Sequence, residues 1–310
     1  MFYLIFITKI KQLYRLNPER LNNTKYADLE VLFFNRVAKV GSEALMELLQ
    51  HMAPLNDMQV LTKGPLNVNV RIRTPEQQLI QADWISNLKP GSVYIEHCNW
   101  LNFDDLKSPK PIMINLVRDP VERMISWYFY VRGSYKNALF YRQFPNAPVK
   151  SADWFKKDFN HCVRSGDPEC QYVPYTMVDA EGNHKRQSLF FCGNYKECLP
   201  FDSPHAIQIA KNNVEREYAV VGSWEDTNVT FTVFEHYIPR FFRGVKQVFE
   251  AFNEKVSNRN KNRRKPHIDE DVKEMIRKNF TNEYDFYYFC KQRLYKQYIA
   301  LNVDKNVPLV

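Results

Sequence analysis

Apolar positions along this 310-residue chain fall into short continuous runs and longer periodic ones. "LEVLFF" (29–34) and "PIMINLVR" (111–118) are apolar on both faces, the pattern of strands buried from two sides. "GSVYIEH" (91–97) and "YAVVGSWED" (218–226) read as further strands, and "NVNVRIR" (67–73) alternates as a half-buried strand does. Helical spacing separates them. "EALMELLQHM" (43–52) repeats its apolar residues every three or four positions, and "PEQQLIQADWISNL" (75–88) opens with proline at a first helical position. Asp119-Pro120 predicts another helix start, with Asp as N-cap and Pro at N1. "SADWFKKDF" (151–159) predicts some helix, and "TNVTFTVFEHYIPRFF" (227–242) a helix packed on the preceding strand. Residues 269–301 read as one long amphipathic helical region with a break near Thr281-Asn282. Strands that each lead into a turn and helix predict an α/β fold, with a mostly parallel central sheet flanked by helices.

The same pattern divides the chain. Residues 1–28 read as an N-terminal stem or anchor remnant and 29–310 as a single domain, in which 133–205 is an elaborated insertion rich in aromatics, prolines and cysteines. "MFYLIFIT" is apolar, but Lys9 and Lys11 end it well short of the roughly 20 residues a membrane span needs. It also lacks a basic n-region and a small-residue cleavage site. No internal repeat appears.

Composition narrows the class. An apolar content of 45% with 15% aromatics excludes a disordered chain. The formal net charge of +8 fits an anionic partner, such as nucleic acid, an acidic polysaccharide or a membrane surface, as well as a merely soluble basic protein. Four of the six cysteines form two close sets, Cys162/Cys170 and Cys192/Cys198. Their spacings suit short disulfide-closed loops better than a zinc box, which implies an oxidising compartment; four cysteines allow three pairings. Cys98 and Cys290 read as buried free thiols. Sequons at Asn22, Asn228 and Asn279 point to the same luminal setting. Nucleic-acid binding then rests on charge alone.

Chemistry gathers where strands end. In "FFNRVAKVGS" (33–42) a strand end, a turn and a helix start converge backbone N–H groups on one spot, where the helix dipole favours an anion. Gly41 permits close approach, Ser42 offers a hydroxyl and Lys39 a mobile charge, although the GxxxxGK[ST] spacing of a triphosphate loop is absent. Arg118 ends a buried strand, where open α/β sheets bind ligands, and Ser126 follows two helical turns later. Asp119, Glu122 and Arg123 read as capping and ion pairing. His97, in "YIEHCNWLNF", ends a strand on the same edge and is a candidate base. "NRNKNRRKPH" (258–267) carries five Lys/Arg and no acid, reading as a solvated loop or a clamp on a phosphorylated cofactor. No acidic pair is placed to hold a metal.

These stretches, with "INLVRDPVERMISWYFYVR", "RQSLFFCGNYKEC", "EREYAVVG", "PRFFRG" and "NFTNEYDFYYFCKQRLYKQY", resemble in the same order the 2-O-sulfotransferases of glycosaminoglycan synthesis. That is the family of heparan sulfate 2-O-sulfotransferase and uronyl 2-O-sulfotransferase, and the insect Pipe branch is the nearest in pattern. The resemblance runs from about residue 29 over nearly the whole chain. It implies a P-loop-like sulfotransferase fold and transfer of a sulfuryl group from 3′-phosphoadenosine 5′-phosphosulfate (PAPS) to the 2-hydroxyl of a uronic acid, without a metal. By resemblance, Lys39, Val40, Gly41, Ser42, Glu43 and Ala44 surround the phosphosulfate, and Lys39 also assists catalysis. Arg118 and Ser126 match the 3′-phosphate ligands, Arg264 and Lys265 the closing basic loop, and His97 the base. The resemblance also implies two local disulfides, a homotrimer and a type II membrane protein of the Golgi lumen. Arg36, Lys136 and Arg142 are candidates for the surface that holds an anionic polysaccharide or glycoprotein glycan. The chain departs from the family at Ala38, where relatives commonly carry proline, and at Ile95, where heparan sulfate enzymes carry a second histidine. The alternative is a catalytically silent relative that binds anionic polysaccharide through the same groove.

Overall fold

A computed structural model of the chain describes residues 16–66, 72–177, 185–251 and 266–301. The elements used below are β1 (Val31–Asn35), α1 (Ser42–Met52), β2 (Gln59–Leu61), α2 (Pro75–Ser86), β3 (Ser92–Glu96), β4 (Ile112–Val117), α3 (Pro120–Val131), α4 (Ser134–Gln143), α5 (Pro204–Arg216), β5 (Tyr218–Ser223), α6 (Thr227–Tyr237), α7 (Glu270–Arg277) and α8 (Thr281–Ala300).

The five strands form one sheet in the order β2-β3-β1-β4-β5, every pairing parallel. β1 is central and every one of its residues is buried. Phe33, Phe34, Ile114 and Val220 are fully covered by the flanking layers. At about 1.5–3 kcal/mol for each such side chain, this double-sided burial is what makes the apolar run a strand rather than a surface helix. Parallel pairing leaves all strand C-termini on one edge. The chain leaves β1 towards β3 and β2, and leaves β4 towards β5, so the crevice between the ends of β1 and β4 is the topological switch point.

Local signals set the helix boundaries. Asp119 caps α3 by accepting from Glu122 N–H at 2.9 Å, and Thr74 with Gln77 forms a capping box at α2. The C-terminal helical region is broken where expected, into α7 and α8, with residues 278–280 between them just ahead of Thr281. The stretch at 227–242 also divides: α6 ends at Tyr237 and a short turn runs Pro239–Phe242, because a proline disfavours helical backbone at Ile238, which sits at φ −133° and ψ 54°. "SADWFKKDF" splits likewise, Ala152–Lys156 being followed by a helix from Phe159 that Asp158 caps. Of the strand expected at 67–73, residues 67–71 lie outside the described residues, and Ile72 and Arg73 are not in a strand. β2 was not anticipated, being three residues long and only partly buried.

The cysteine-rich segment is tied to α3 through Arg132. Its guanidinium lies 3.5 Å from the Tyr128 ring and 4.3 Å from the Trp154 ring, and pairs with Glu169 at 2.7 Å. Cys162–Cys170 and Cys192–Cys198 are disulfide-bonded, with Cα separations of 5.8 and 5.7 Å. Cys98 and Cys290 are free and buried. Residues 18–26, read as stem, are docked on the fold: Asn23 donates to the carbonyls of Glu215 and Tyr218, and Gln297 donates to that of Leu21. No helix among the described residues is long and apolar enough to cross a membrane.

Candidate active site

The site is built on the switch-point edge. Asn35, at the end of β1, accepts from Tyr218 Oη at 2.9 Å and donates to the Phe190 carbonyl at 2.9 Å. Asn115 of β4 donates to the Asn35 carbonyl at 2.7 Å. All three side chains are buried. Buried amides that satisfy one another fix the separation of neighbouring strand ends, and so of the loops that leave them.

The loop after β1 turns sharply. Lys39 has φ +68° and Gly41 φ +85°, both left-handed. Ser42 Oγ donates to the Val37 carbonyl at 2.7 Å and closes the turn from inside. Its hydroxyl proton is therefore spent on the loop itself, and what residue 42 offers a ligand is its N–H. No side chain caps α1, and among the described residues the N–H groups of Ser42, Glu43 and Ala44 meet no acceptor. They form a positive helix end open to an anion.

A Cβ at Gly41 would lie 2.1 Å from the Trp224 ring, so the indole rests directly on this glycine. Gly41→Ala is expected to cost about 1–3 kcal/mol, from left-handed strain and displacement of Trp224. Thermal unfolding checks this, and a variant as stable as the parent would show that the ring yields freely.

Two cations meet at the loop. Arg118, just past β4, donates to the Lys39 carbonyl at 3.3 Å, and its backbone is clamped by Gln187, which accepts from Arg118 N–H and donates to Arg118 C=O at 3.1 and 2.8 Å. Gln187 and Ser188 are held by the fully buried Glu283, which accepts both backbone N–H groups and the Ser188 hydroxyl. Burial pushes the Glu283 carboxyl up, and the hydrogen bond from Ser188 and the charges of Arg123 and Arg186 oppose that shift. The Lys39 ammonium lies 4.1 Å from the centre of the Tyr130 ring. Burial, reinforced by Arg118 and opposed by Glu43, lowers its pKa to about 8.

His97 follows β3, which pairs in register with β1 so that Glu96 lies beside Asn35. Its Nδ1 is 2.9 Å from the Arg36 carbonyl oxygen. A carbonyl only accepts, so Nδ1 carries the proton and, in the neutral ring, Nε2 carries the lone pair.

The structure thus brings His97, Arg36, Lys39 and Arg118 onto one edge. Ser126 lies on the α3 face that also carries Glu122 and Tyr130, one turn to either side. Arg36 Nη1 is engaged by the Glu43 carboxylate at 2.9 Å. The Lys136 ammonium is 6.0 Å from the Tyr130 ring centre, and Arg142 is exposed at the end of α4. Arg264 and Lys265 lie outside the described residues. Among the sequons, Asn228 and Asn279 are exposed, while the Asn22 side chain accepts from its own Thr24. Tyr130, Trp224, Gln187 and Glu283 had not been singled out from the sequence. Of these, Tyr130 had a legible signal, standing four residues after Ser126 on a helix.

An α/β sheet with an open helix N-terminus, two converging cations and an oriented histidine at its switch point is an arrangement suited to a phosphate-like or sulfate-like anion. The chain belongs to the sulfotransferase family, whose pattern matches residues 22–290. It is 42% identical over 301 residues to the uronyl 2-sulfotransferase homolog pip of Drosophila melanogaster, covering 94% of this chain and 58% of that protein. It is 27% identical to heparan sulfate 2-O-sulfotransferase 1 of Xenopus laevis, over 93% of this chain and 77% of the relative. It is 24% identical to mouse uronyl 2-sulfotransferase, over 89% and 66%. The chain therefore spans about three fifths of the length of the Drosophila relative.

Proposed function

We propose that this protein transfers a sulfuryl group from PAPS to the 2-hydroxyl of a uronic acid in a glycosaminoglycan of heparan sulfate type, or in a related glycan. The observation that carries the reading is the pairing of His97 Nδ1 with the Arg36 carbonyl, 2.9 Å apart, beside the Lys39 loop to which Arg118 donates from the end of β4. The names of the relatives support the acceptor class.

The residues fit the donor. Lys39 and the N–H groups of residues 40–44 suit a 5′-phosphosulfate, and Arg118 with Ser126 suits a 3′-phosphate; Arg264 and Lys265 are proposed to add charge over the nucleotide. PAPS supplies a sulfuryl group already activated by its anhydride bond to phosphate. His97 Nε2 takes the proton of the acceptor hydroxyl. Lys39 and the loop N–H groups stabilise the negative charge that accumulates on the group being transferred and on the phosphate it leaves. Arg36, Lys136 and Arg142, together with the surplus of basic residues, favour an acceptor carrying carboxylates and sulfates. A homotrimer held in the Golgi lumen by a membrane anchor belongs to the same proposal.

The test is transfer of labelled sulfate from PAPS to desulfated heparan, chondroitin and dermatan acceptors, with product disaccharides analysed for 2-O-sulfate. Label on the uronic acid of one polymer is the expected result. Binding of the nucleotide with no transfer to any acceptor would sink the enzymatic reading in favour of a silent polysaccharide-binding protein.

A further inference from the structure

We infer that Tyr130 is a positioning residue for Lys39: its ring face holds the lysine ammonium at the mouth of the β1–α1 loop. The inference rests on reading that loop as the sulfuryl-donor site. The ammonium lies 4.1 Å from the ring centre. The nearby carboxylates face other cations: Glu43 pairs with Arg36 at 2.9 Å, and Glu122 with Lys273 at 3.4 Å and Arg118 at 4.0 Å. Among the described residues no carboxylate pairs with Lys39.

That arrangement has a chemical consequence. A salt-bridged lysine must break a charge pair before it can meet an anion, and the carboxylate left behind then repels that anion. An aromatic face holds a cation through its quadrupole, carries no net charge, and releases the cation at small cost. Burial and the Arg118 guanidinium both disfavour the ammonium form of Lys39, and the charge of Glu43 opposes them; the ring face adds its attraction for a cation from 4.1 Å. Register supports the role. Tyr130 stands one helical turn beyond Ser126 on α3, so one helix face carries both a proposed phosphate ligand and the rest for the proposed catalytic lysine.

The experiment is a double-mutant cycle. kcat and KM for PAPS, and calorimetric affinity for adenosine 3′,5′-bisphosphate, are measured for the parent, Tyr130→Leu, Tyr130→Phe, Lys39→Ala and the Lys39→Ala/Tyr130→Leu double variant. Tyr130→Leu is expected to lower kcat/KM for PAPS about three- to thirty-fold, and Tyr130→Phe, which keeps the ring, to recover most of the loss. In the Lys39→Ala background the Leu change should add nothing. Additive losses, or equal losses for Phe and Leu, would overturn the inference. Should Tyr130→Leu fail to fold, Tyr130→Met carries the same comparison. A parent that neither transfers sulfate nor binds the nucleotide removes the donor-site reading and this role with it. An active parent with an additive cycle removes the Tyr130 role alone.

Discussion

His97→Ala is expected to lower kcat by about 10²–10⁴-fold, the usual contribution of a positioned general base, with little change in affinity for adenosine 3′,5′-bisphosphate. The asymmetry follows from where the residue sits. His97 follows β3 and is oriented by the Arg36 carbonyl, whereas the proposed nucleotide ligands among the described residues are on the loop after β1, just past β4 and on α3. His97→Asn sharpens the test, because an asparagine amide can donate to the Arg36 carbonyl from the position of Nδ1 but cannot take a proton near neutral pH. If Asn restores activity, the histidine organises the loop; if Asn is as inactive as Ala, it acts as the base. Steady-state rates at saturating PAPS decide between them, and an alanine variant with near-parental kcat would remove His97 from the mechanism.

Lys39→Ala is the second large effect, an expected loss of about 10²–10³ in kcat, comparable to deleting one preorganised donor to a developing anion. The lysine also predicts a pH dependence with a definite sign. Its pKa in the donor-free protein is lowered to about 8 by burial and by Arg118. The ammonium is the useful form, so it is fully present below that value and is lost as pH rises through it. kcat/KM for PAPS, which reports the free enzyme, should therefore fall above pH 8, about tenfold per pH unit once the limb is established. In Lys39→Arg, whose guanidinium does not titrate in this range, that limb should vanish even though the rate is reduced by the poorer fit. A parental profile flat to pH 10 would mean that the ammonium is held more strongly than its surroundings suggest, or is not used.

Four of the five strands were legible as apolar runs, because a strand buried on both faces needs only consecutive apolar residues and a turn beyond. His97, Arg118 and the 39–44 loop were legible for a related reason: parallel strands place their C-termini on one edge, so residues just past separate strands become neighbours without further information. β2 escaped because three half-exposed residues carry no period. The break at 278–280 was read from the sequence near Thr281-Asn282, whereas the one at Ile238 was not, although Pro239 marks it locally.

What supports the site was decided elsewhere. The hold on Arg118 passes through Gln187 to Glu283, which is 165 residues further along the chain than Arg118, and a carboxylate that the sequence alone would assign to a helix surface is fully buried. Trp224 lies on Gly41 and the Lys39 ammonium on Tyr130 only because β5 and α3 pack beside the β1 loop. By itself the sequence determined the parallel α/β architecture, the edge on which charge collects and the family whose motifs it carries, because these follow from local periodicity and residue order. Which face of each side chain meets another, and so which lysine loses part of its affinity for a proton and which nitrogen of His97 carries one, depends on packing between elements far apart in the chain. Only the tertiary structure decided that.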